Sequence, residues 1–309
     1  MSTPETGTRR RPPWVGGCSI LALTALGLML VLYIVGQSVR TKAPGAASSG
    51  GLGFGTHVGL IRLEGDIVES RRFIEELDEL RNDSRVRALV IRIDSPGGGV
   101  AATQEIHQAL RDYHEETGQP MVASLGSIAA SGGYYAACAA QRIVSEPGTL
   151  TGSIGVILTF ADASELMRKV GLRVEVVKSG PRKDFGSPWR PLTDDERQML
   201  QDIVGDVYGQ FTEAVATGRE QPLEQVLEWA DGRIFSGRQA VAAGLADTLG
   251  YEDDAVSLAA NLAGLSPDTP ALSKRRELPA FLEWLDRITG RARVLLSSGP
   301  RLEYRLAVP

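Results

Sequence analysis

Apolar positions along this chain alternate between two spacings, and the alternation predicts its elements. From His57 to Leu63 the pattern is that of a strand, and it leads into a helix with an apolar face of Val68, Phe73, Ile74, Leu77 and Leu80. A buried-type strand follows at Ala88 to Ile93. The turn Ser95-Pro96-Gly97-Gly98-Gly99 comes next, then a helix facing inward through Val100, Ile106 and Leu110. A short strand near Met121 to Ser124 leads to Ser127-Ile128-Ala129-Ala130-Ser131-Gly132-Gly133-Tyr134-Tyr135, where small residues open another helix. Strand and helix signals continue through Ile143, Gly155 to Leu158, Ser164 to Val170 and Leu172 to Val177, so the domain is expected to be α/β.

Residues 179–192 carry Pro181, Pro188 and Pro191 with Gly180 and Gly186, which rules out regular structure and predicts an exposed loop. Thr193 and Glu196 then form a capping box for a long helix striped by Leu200, Ile203, Val204, Val207, Tyr208, Phe211 and Val215. Shorter helices are expected around Leu223 to Trp229, Ser236 to Ala243 and Asp254 to Leu262. Beyond Ser266 the pattern weakens to an amphipathic patch near Phe281 to Ile288 and a stretch from Leu295 without clear period. No internal repeat is visible.

The N-terminus reads differently. No charge occurs from Pro12 to Val39, and Trp14 to Gly36 is almost wholly apolar. As a helix it would span ~35 Å against a hydrocarbon core of ~30 Å. Arg9, Arg10 and Arg11 precede it and Arg40 and Lys42 follow, a modest bias towards a cytoplasmic N-terminus with the body outside. A cleaved signal peptide is the alternative, with small residues around Ala46 to Ser48 as a cleavage site; either reading exports the body. The expected division is a cytoplasmic N-terminus (1–13), a transmembrane helix (14–36), a flexible Gly/Ala/Ser linker (37–56), a catalytic domain (57–265) and a C-terminal extension (266–309).

Composition narrows the partners. A net charge of -5 argues against a nucleic-acid binder, which would show a basic excess. The two cysteines, Cys18 and Cys138, lie in the apolar stretch and the body, so no disulfide is expected within the folded domain. The five lysines are Lys42, Lys169, Lys178, Lys183 and Lys274, and the three histidines are His57, His107 and His114.

Two segments carry candidate chemistry. A strand ending in Pro-Gly-Gly-Gly at a helix start exposes backbone N–H groups with no side chain in the way, which suits an oxyanion hole but also suits phosphate binding or a simple turn. Ser131 stands at the start of a helix, where it is either a nucleophile favoured by the dipole or an N-cap. A serine nucleophile needs a base. The histidines lack motif context, and His107 and His114, seven apart on one helix, are expected on a solvated face. Lys183, in the Pro/Gly loop, is the lysine that stands out; its plain reading is an exposed residue with Arg182 and Asp184 as solvated neighbours. To serve as a base near pH 7, a lysine with an ordinary pKa of ~10.4 must be lowered by about 3, worth ~4 kcal/mol. Burial can supply that.

In order, DSPGGGV (Asp94 to Val100), AASGGYY (Ala129 to Tyr135), TGSIGV (Thr151 to Val156), SGPRKDFGSPWR (Ser179 to Arg190) and ADGRIFSGRQA (Ala230 to Ala240) resemble the signature segments of the signal peptide peptidase A family in its short bacterial form. The resemblance covers roughly residues 57–262. It implies a crotonase-like or Clp-protease-like α/β fold, tethering to the bacterial inner membrane with the catalytic domain outside the cytoplasm, a ring-shaped homo-oligomer, and digestion of hydrophobic signal peptides after their release. It further implies Ser131 as nucleophile, Lys183 as general base, Ser153 as the hydroxyl that orients the lysine, and a serine and lysine that meet across a subunit interface. No cofactor or metal is implied. The N–H groups of Gly98 and Gly132 are the expected oxyanion donors. Alternatives are a related Ser-Lys membrane peptidase that trims membrane proteins, an inactive peptide-binding scaffold, and crotonase-like acyl-CoA chemistry, which would leave the Lys183 loop unexplained. The stretch Arg301 to Pro309 mixes apolar and small residues as a substrate does. Tethered near an active site, it would reach an effective concentration of about millimolar and act as self-inhibitor or self-substrate; an ordinary packed or frayed terminus is the plainer reading.

Overall fold

A computed structural model describes residues 55–274 and 302–305 of the chain. Strands and helices follow in the order β1 (His57–Glu64), α1 (Arg71–Arg81), β2 (Val86–Ser95), β3 (Gly97–Gly99), α2 (Val100–Thr117), β4 (Met121–Ala130), α3 (Gly132–Ala137), β5 (Arg142–Ser145), β6 (Leu150–Gly152), β7 (Ile157–Leu158), α4 (Ser164–Lys169), α5 (Asp194–Gly218), α6 (Leu223–Trp229), β8 (Ile234–Ser236), α7 (Gly237–Ala242), β9 (Thr248–Leu249), α8 (Glu252–Leu262), β10 (Ala271–Leu272) and β11 (Leu302–Arg305).

The main sheet runs β10-β1-β2-β4-β5-β9, with every neighbour in that row parallel. A parallel sheet needs both faces covered, and the strand residues divide accordingly. Leu89, Ile91 and Ile93 of β2 enter a core with Phe73, Leu77 and Leu80 of α1, Ile106, Leu110 and Tyr113 of α2 and Tyr134 of α3. Ala88 and Val90 point to the other face, where Ala255, Ala259 and Ala260 of α8 close a second core. The period of two along β2 thus builds a three-layer α/β domain.

Beyond its pairing with β5, β4 continues past a break in register with β2 (Ile93 to Leu125, then Ser95 to Ala129) and pairs in parallel with β6. β6 is backed in turn by antiparallel β8. The second sheet is small, antiparallel and ordered β3-β11-β7. Two strands, β10 and β11, therefore come from the stretch after residue 265.

The long capped helix is present: Thr193 Oγ1 accepts from the Glu196 N–H and the Glu196 carboxylate accepts from the Thr193 N–H. Leu200, Phe211 and Val215 of its stripe are buried, whereas Ile203 is exposed. The strand expected at Leu172 to Val177 does not form. That segment is exposed and irregular, because β-branched residues favour a strand only where a partner supplies the ladder. Among the described residues no helix is long and apolar enough to cross a membrane, and the span expected at 14–36 lies outside them. The amphipathic patch at 281–288 lies outside them as well.

Candidate active site

β4 ends at Ala130, and Ser131 turns the backbone into α3 with φ 53° and ψ −115°. A non-glycine residue in this region carries strain of about 1–3 kcal/mol, which the surrounding structure has to impose. Two bonds impose it here: the Ser131 N–H donates to the Gly152 carbonyl (2.8 Å) and the Ser131 carbonyl accepts from the Tyr135 N–H (2.8 Å). Tyr134 pins the helix to the core by donating its hydroxyl to the Leu245 carbonyl (2.8 Å). Ser131 occupies the N-cap position without capping, and its Oγ is buried with no hydrogen-bond partner. The capping role that its position suggested is therefore absent. A buried hydroxyl without a partner at a strained strand-to-helix turn suits a nucleophile.

Ser153 arrives beside Ser131 through register. β4 and β6 pair Ala129 with Thr151 and Ala130 with Gly152, so the next residue of each strand is a serine. Ser153 also has a positive φ (51°), is nearly buried, and donates its N–H to the Arg233 carbonyl (2.8 Å). The ADGRIFS segment thus serves to hold Ser153 through the turn before β8.

The Gly-rich turn forms β3. Ile67 bonds to both of its ends, donating to the Gly97 carbonyl (2.9 Å) and accepting from the Gly99 N–H (2.8 Å). Backbone groups alternate along a strand, so the N–H and C=O of Gly98 face the opposite edge, where Tyr304 of β11 is its partner. A Cβ on Gly98 would meet the Ile67 carbonyl at 2.1 Å, and one on Gly97 (φ 100°) would fall 2.7 Å from the Gly132 nitrogen. The glycines allow this turn to approach the start of α3 closely. Asp94 and Ser95 shape it: the Asp94 carboxylate accepts from the Ile128 N–H (3.1 Å), and Ser95 Oγ accepts from the Gly97 N–H (3.1 Å) while donating to the Gly65 carbonyl (2.6 Å). Gly97 is thereby brought against Gly132, the residue that follows Ser131.

Lys183 is not brought to Ser131 by any bond. It is exposed, in a run of turns, and its ammonium takes part in no hydrogen bond or ion pair among the described residues. Its neighbour Asp184 is not solvated as expected. Lys178 (2.7 Å) and Arg190 (2.9 Å) both pair with it, and Arg190 also pairs with Glu196 (2.6 Å) at the start of α5. The Arg190 guanidinium, ahead of the Lys178 ammonium, holds the Asp184 carboxyl well below the usual range. The same guanidinium lowers Glu196 to about 2.

The histidines also need correction. His107 is no part of a solvated face: it is buried, edge-on to Tyr135 with ring centres 4.9 Å apart, and burial followed by the charge of Arg111 lowers it to about 4. His114 Nδ1 engages the Gln119 carbonyl (2.7 Å). Neither has a bond to Ser131. Ile67, which orients Gly98, escaped the sequence reading because backbone pairing leaves no side-chain signal. Tyr135 and Phe211, which line a pocket next to β11, lay within recognised segments but read as helix and core.

Residues 114–266 match the model of Peptidase family S49. Over 186 residues the chain is 49% identical to a protein of Synechocystis sp. whose name marks it as a candidate protease, covering 60% of this chain and 66% of that one. It is 36% identical over 222 residues to Protease 4 of Salmonella typhi (72% and 35% covered) and 33% identical over 208 residues to the chloroplastic serine protease SPPA of Arabidopsis thaliana (67% and 30% covered). The chain spans less than two thirds of the length of each of these relatives. With the glycine strand, the strained serine and the paired serine beside it falling within the first three of the five sequence segments, the chain belongs to peptidase family S49.

Proposed function

We propose that this chain is a serine endopeptidase that cuts released signal peptides through an acyl-enzyme formed on Ser131, with Lys183 as general base. The observation that carries the proposal is Ser131 itself: a buried, unpartnered hydroxyl at a strained turn, with the glycine strand packed close to the residue that follows it. Ser131 Oγ attacks the scissile carbonyl and gives its proton to neutral Lys183. The N–H groups of Gly98 and Gly132 hold the oxyanion, and the lysine passes the proton to the leaving amine. Water then hydrolyses the ester by the reverse relay. Ser153, whose backbone is fixed next to Ser131, orients the lysine.

Lys183 reaches this site from a neighbouring subunit of a ring, and the neighbour's surface supplies the burial that a neutral lysine requires. Supporting this are the exposure of Lys183 and the uncovered apolar run Val170, Leu172, Val174, Val176 and Val177 just before its loop. In the same proposal the fold is of the crotonase or Clp-protease type and residues 14–36 anchor the chain in the bacterial inner membrane. The names of the relatives, Protease 4 and serine protease, fit the activity.

The test is incubation of the full-length protein, in detergent, with a synthetic signal peptide. Cleavage by wild type and none by Ser131→Ala is expected; equal cleavage by both would overturn the assignment.

A further inference from the structure

β4 changes partners along its length. Up to Leu125 it pairs with β5 and from Ile128 with β6, and its register on β2 breaks at the same place: Ile93 lies opposite Leu125, but Ser95 lies opposite Ala129. β2 advances two residues there while β4 advances four. Gly126, Ser127 and Ile128 therefore form a bulge opposite Asp94. Drawn out flat, the two extra residues would carry Ser131 ~7 Å further along the strand, off the β6 register that sets it beside Ser153. The bulge decides where the serine stops.

The Asp94 carboxylate holds the bulge from one side. Its Oδ1 accepts from the Ile128 N–H (3.1 Å) and its Oδ2 from the Ser127 N–H (3.4 Å), the amides at the break in register, and an ionised acceptor makes such bonds stronger than a neutral one does. From the other side Thr149, the residue before β6, donates its hydroxyl to the Gly126 carbonyl (2.7 Å). Gly126 is buried, and a Cβ there would fall 2.5 Å from Asp94 Oδ2 and 2.8 Å from Arg92 Nη2. Only glycine lets the carboxylate lie this close. Arg92 is itself fixed by bonds to Ser124 of β4 (3.1 Å) and to Glu146, the residue after β5 (2.8 Å).

We propose that Asp94 is a positioning residue for the reaction: its carboxylate fixes the bulge, the bulge sets the reach of β4, and that reach places Ser131 Oγ for attack. This rests on Ser131 being the nucleophile. Asp94 has no bond to Ser131 and acts through the backbone of Ser127 and Ile128. Releasing the two amides lets the strand before the serine slide or flatten. A displacement of about 1 Å at a reacting group is enough to lower a rate about a hundred-fold. Substrate held by other segments keeps its affinity, so the loss falls on kcat and leaves KM alone.

Peptide-cleavage kinetics of the full-length protein, with active sites counted by covalent labelling of Ser131 with a fluorophosphonate, test this. Asp94→Ala is expected to keep its full count of labelled sites, to label about a hundred-fold more slowly and to lose about a hundred-fold in kcat per site, with KM within about two-fold of wild type. Asp94→Asn, which keeps one acceptor, is expected to recover about ten-fold of that loss. Gly126→Ala, with the carboxylate intact, is expected to reproduce the loss by pushing the carboxylate off the bulge, and to add nothing in the Asp94→Ala background, where the methyl has room. Fewer labelled sites with wild-type kcat at each would reduce Asp94 to a folding role and overturn the inference while leaving the peptidase standing. A raised KM with unchanged kcat, or additive losses in the double variant, would overturn it as well. A wild type that cuts no peptide and takes no label on Ser131 would remove both.

Discussion

The serine side and the lysine side of the proposed dyad are built in opposite ways. Ser131 and Ser153 sit at the ends of adjacent parallel strands, buried, with positive φ and with their N–H groups bonded to the backbone of neighbouring segments. Lys183 sits in a proline- and glycine-rich loop, exposed, between a tightly paired Asp184 and a neighbour, Arg182, that is itself exposed. One half is complete within a single chain; the other has an anchored loop and an unengaged ammonium. Strain and precise placement are borne by the sheet because parallel strands cannot shift without breaking ladders on both sides. A loop can wait for a partner.

The sharpest test of the contrast removes each half in turn. Ser131→Ala and Lys183→Ala should each lower kcat by about 10⁴-fold or more, because the two act as a unit. Their stabilities should separate. Lys183→Ala, whose exposed side chain makes no hydrogen bond or ion pair among the described residues, should shift unfolding by no more than about 0.5 kcal/mol, whereas Ser131→Gly, which accepts a positive φ at no steric cost, should stabilise the fold by about 1 kcal/mol while abolishing activity. Denaturant unfolding monitored by circular dichroism measures both, and a large loss of stability in Lys183→Ala would show that the lysine is held within its own chain.

Mixing the two inactive proteins, Ser131→Ala with Lys183→Ala, after verified subunit exchange should restore about one quarter of wild-type peptide cleavage, since about a quarter of interfaces then join an intact serine to an intact lysine. No recovery would place the dyad within one chain. On the serine side, Gly97→Ala adds a methyl where φ is 100° and the Tyr304 carbonyl and Gly132 nitrogen are 2.0 and 2.7 Å away. About a hundred-fold loss of kcat/KM with an intact fold is expected, because the turn must withdraw from α3. Wild-type rates in this variant would mean that the close approach is not needed.

Smaller effects belong to the loop. Arg190→Ala frees Glu196 and leaves Asp184 to Lys178 alone, and should raise hydrogen exchange across 179–192 with about ten-fold lower activity, the dyad itself being untouched. The pH dependence has a definite sign. Glu196 is lowered to about 2 from an ordinary 4.5, so its pairing favours the folded loop fully above about pH 4.5 and is lost as pH falls towards 2. The protection factors of the loop's amides, taken against the intrinsic exchange rate at each pH, should therefore fall on acidification between those values, and Glu196→Gln should flatten the profile.

Much of the domain was legible beforehand because its signals are local. The period-two strands His57 to Leu63 and Ala88 to Ile93, the capping box at Thr193 and the helix from Val100 are written in neighbouring residues, and all are present. The glycine-rich turn at 97–99 was legible as backbone free of side chains, but its close approach to Gly132 was not. Legibility failed where the outcome depended on a distant partner. Leu172 to Val177 carries strand residues but has no strand beside it, and His107 shares its helix with exposed residues but lies under Tyr135.

By itself, then, the sequence determined which residues are candidates for the chemistry and which elements hold them, since residue type, spacing and turn propensity act over a few positions of chain. Tertiary structure alone decided that Ser131 and Ser153 stand side by side, through the register of β4 on β6. It alone decided that Gly98 turns its N–H away from Ile67, and that Tyr304 returns from the far end of the chain to lie between β3 and β7. These are consequences of backbone pairing between segments far apart in sequence, and backbone groups are the same in every residue, so no local pattern records which of them will meet.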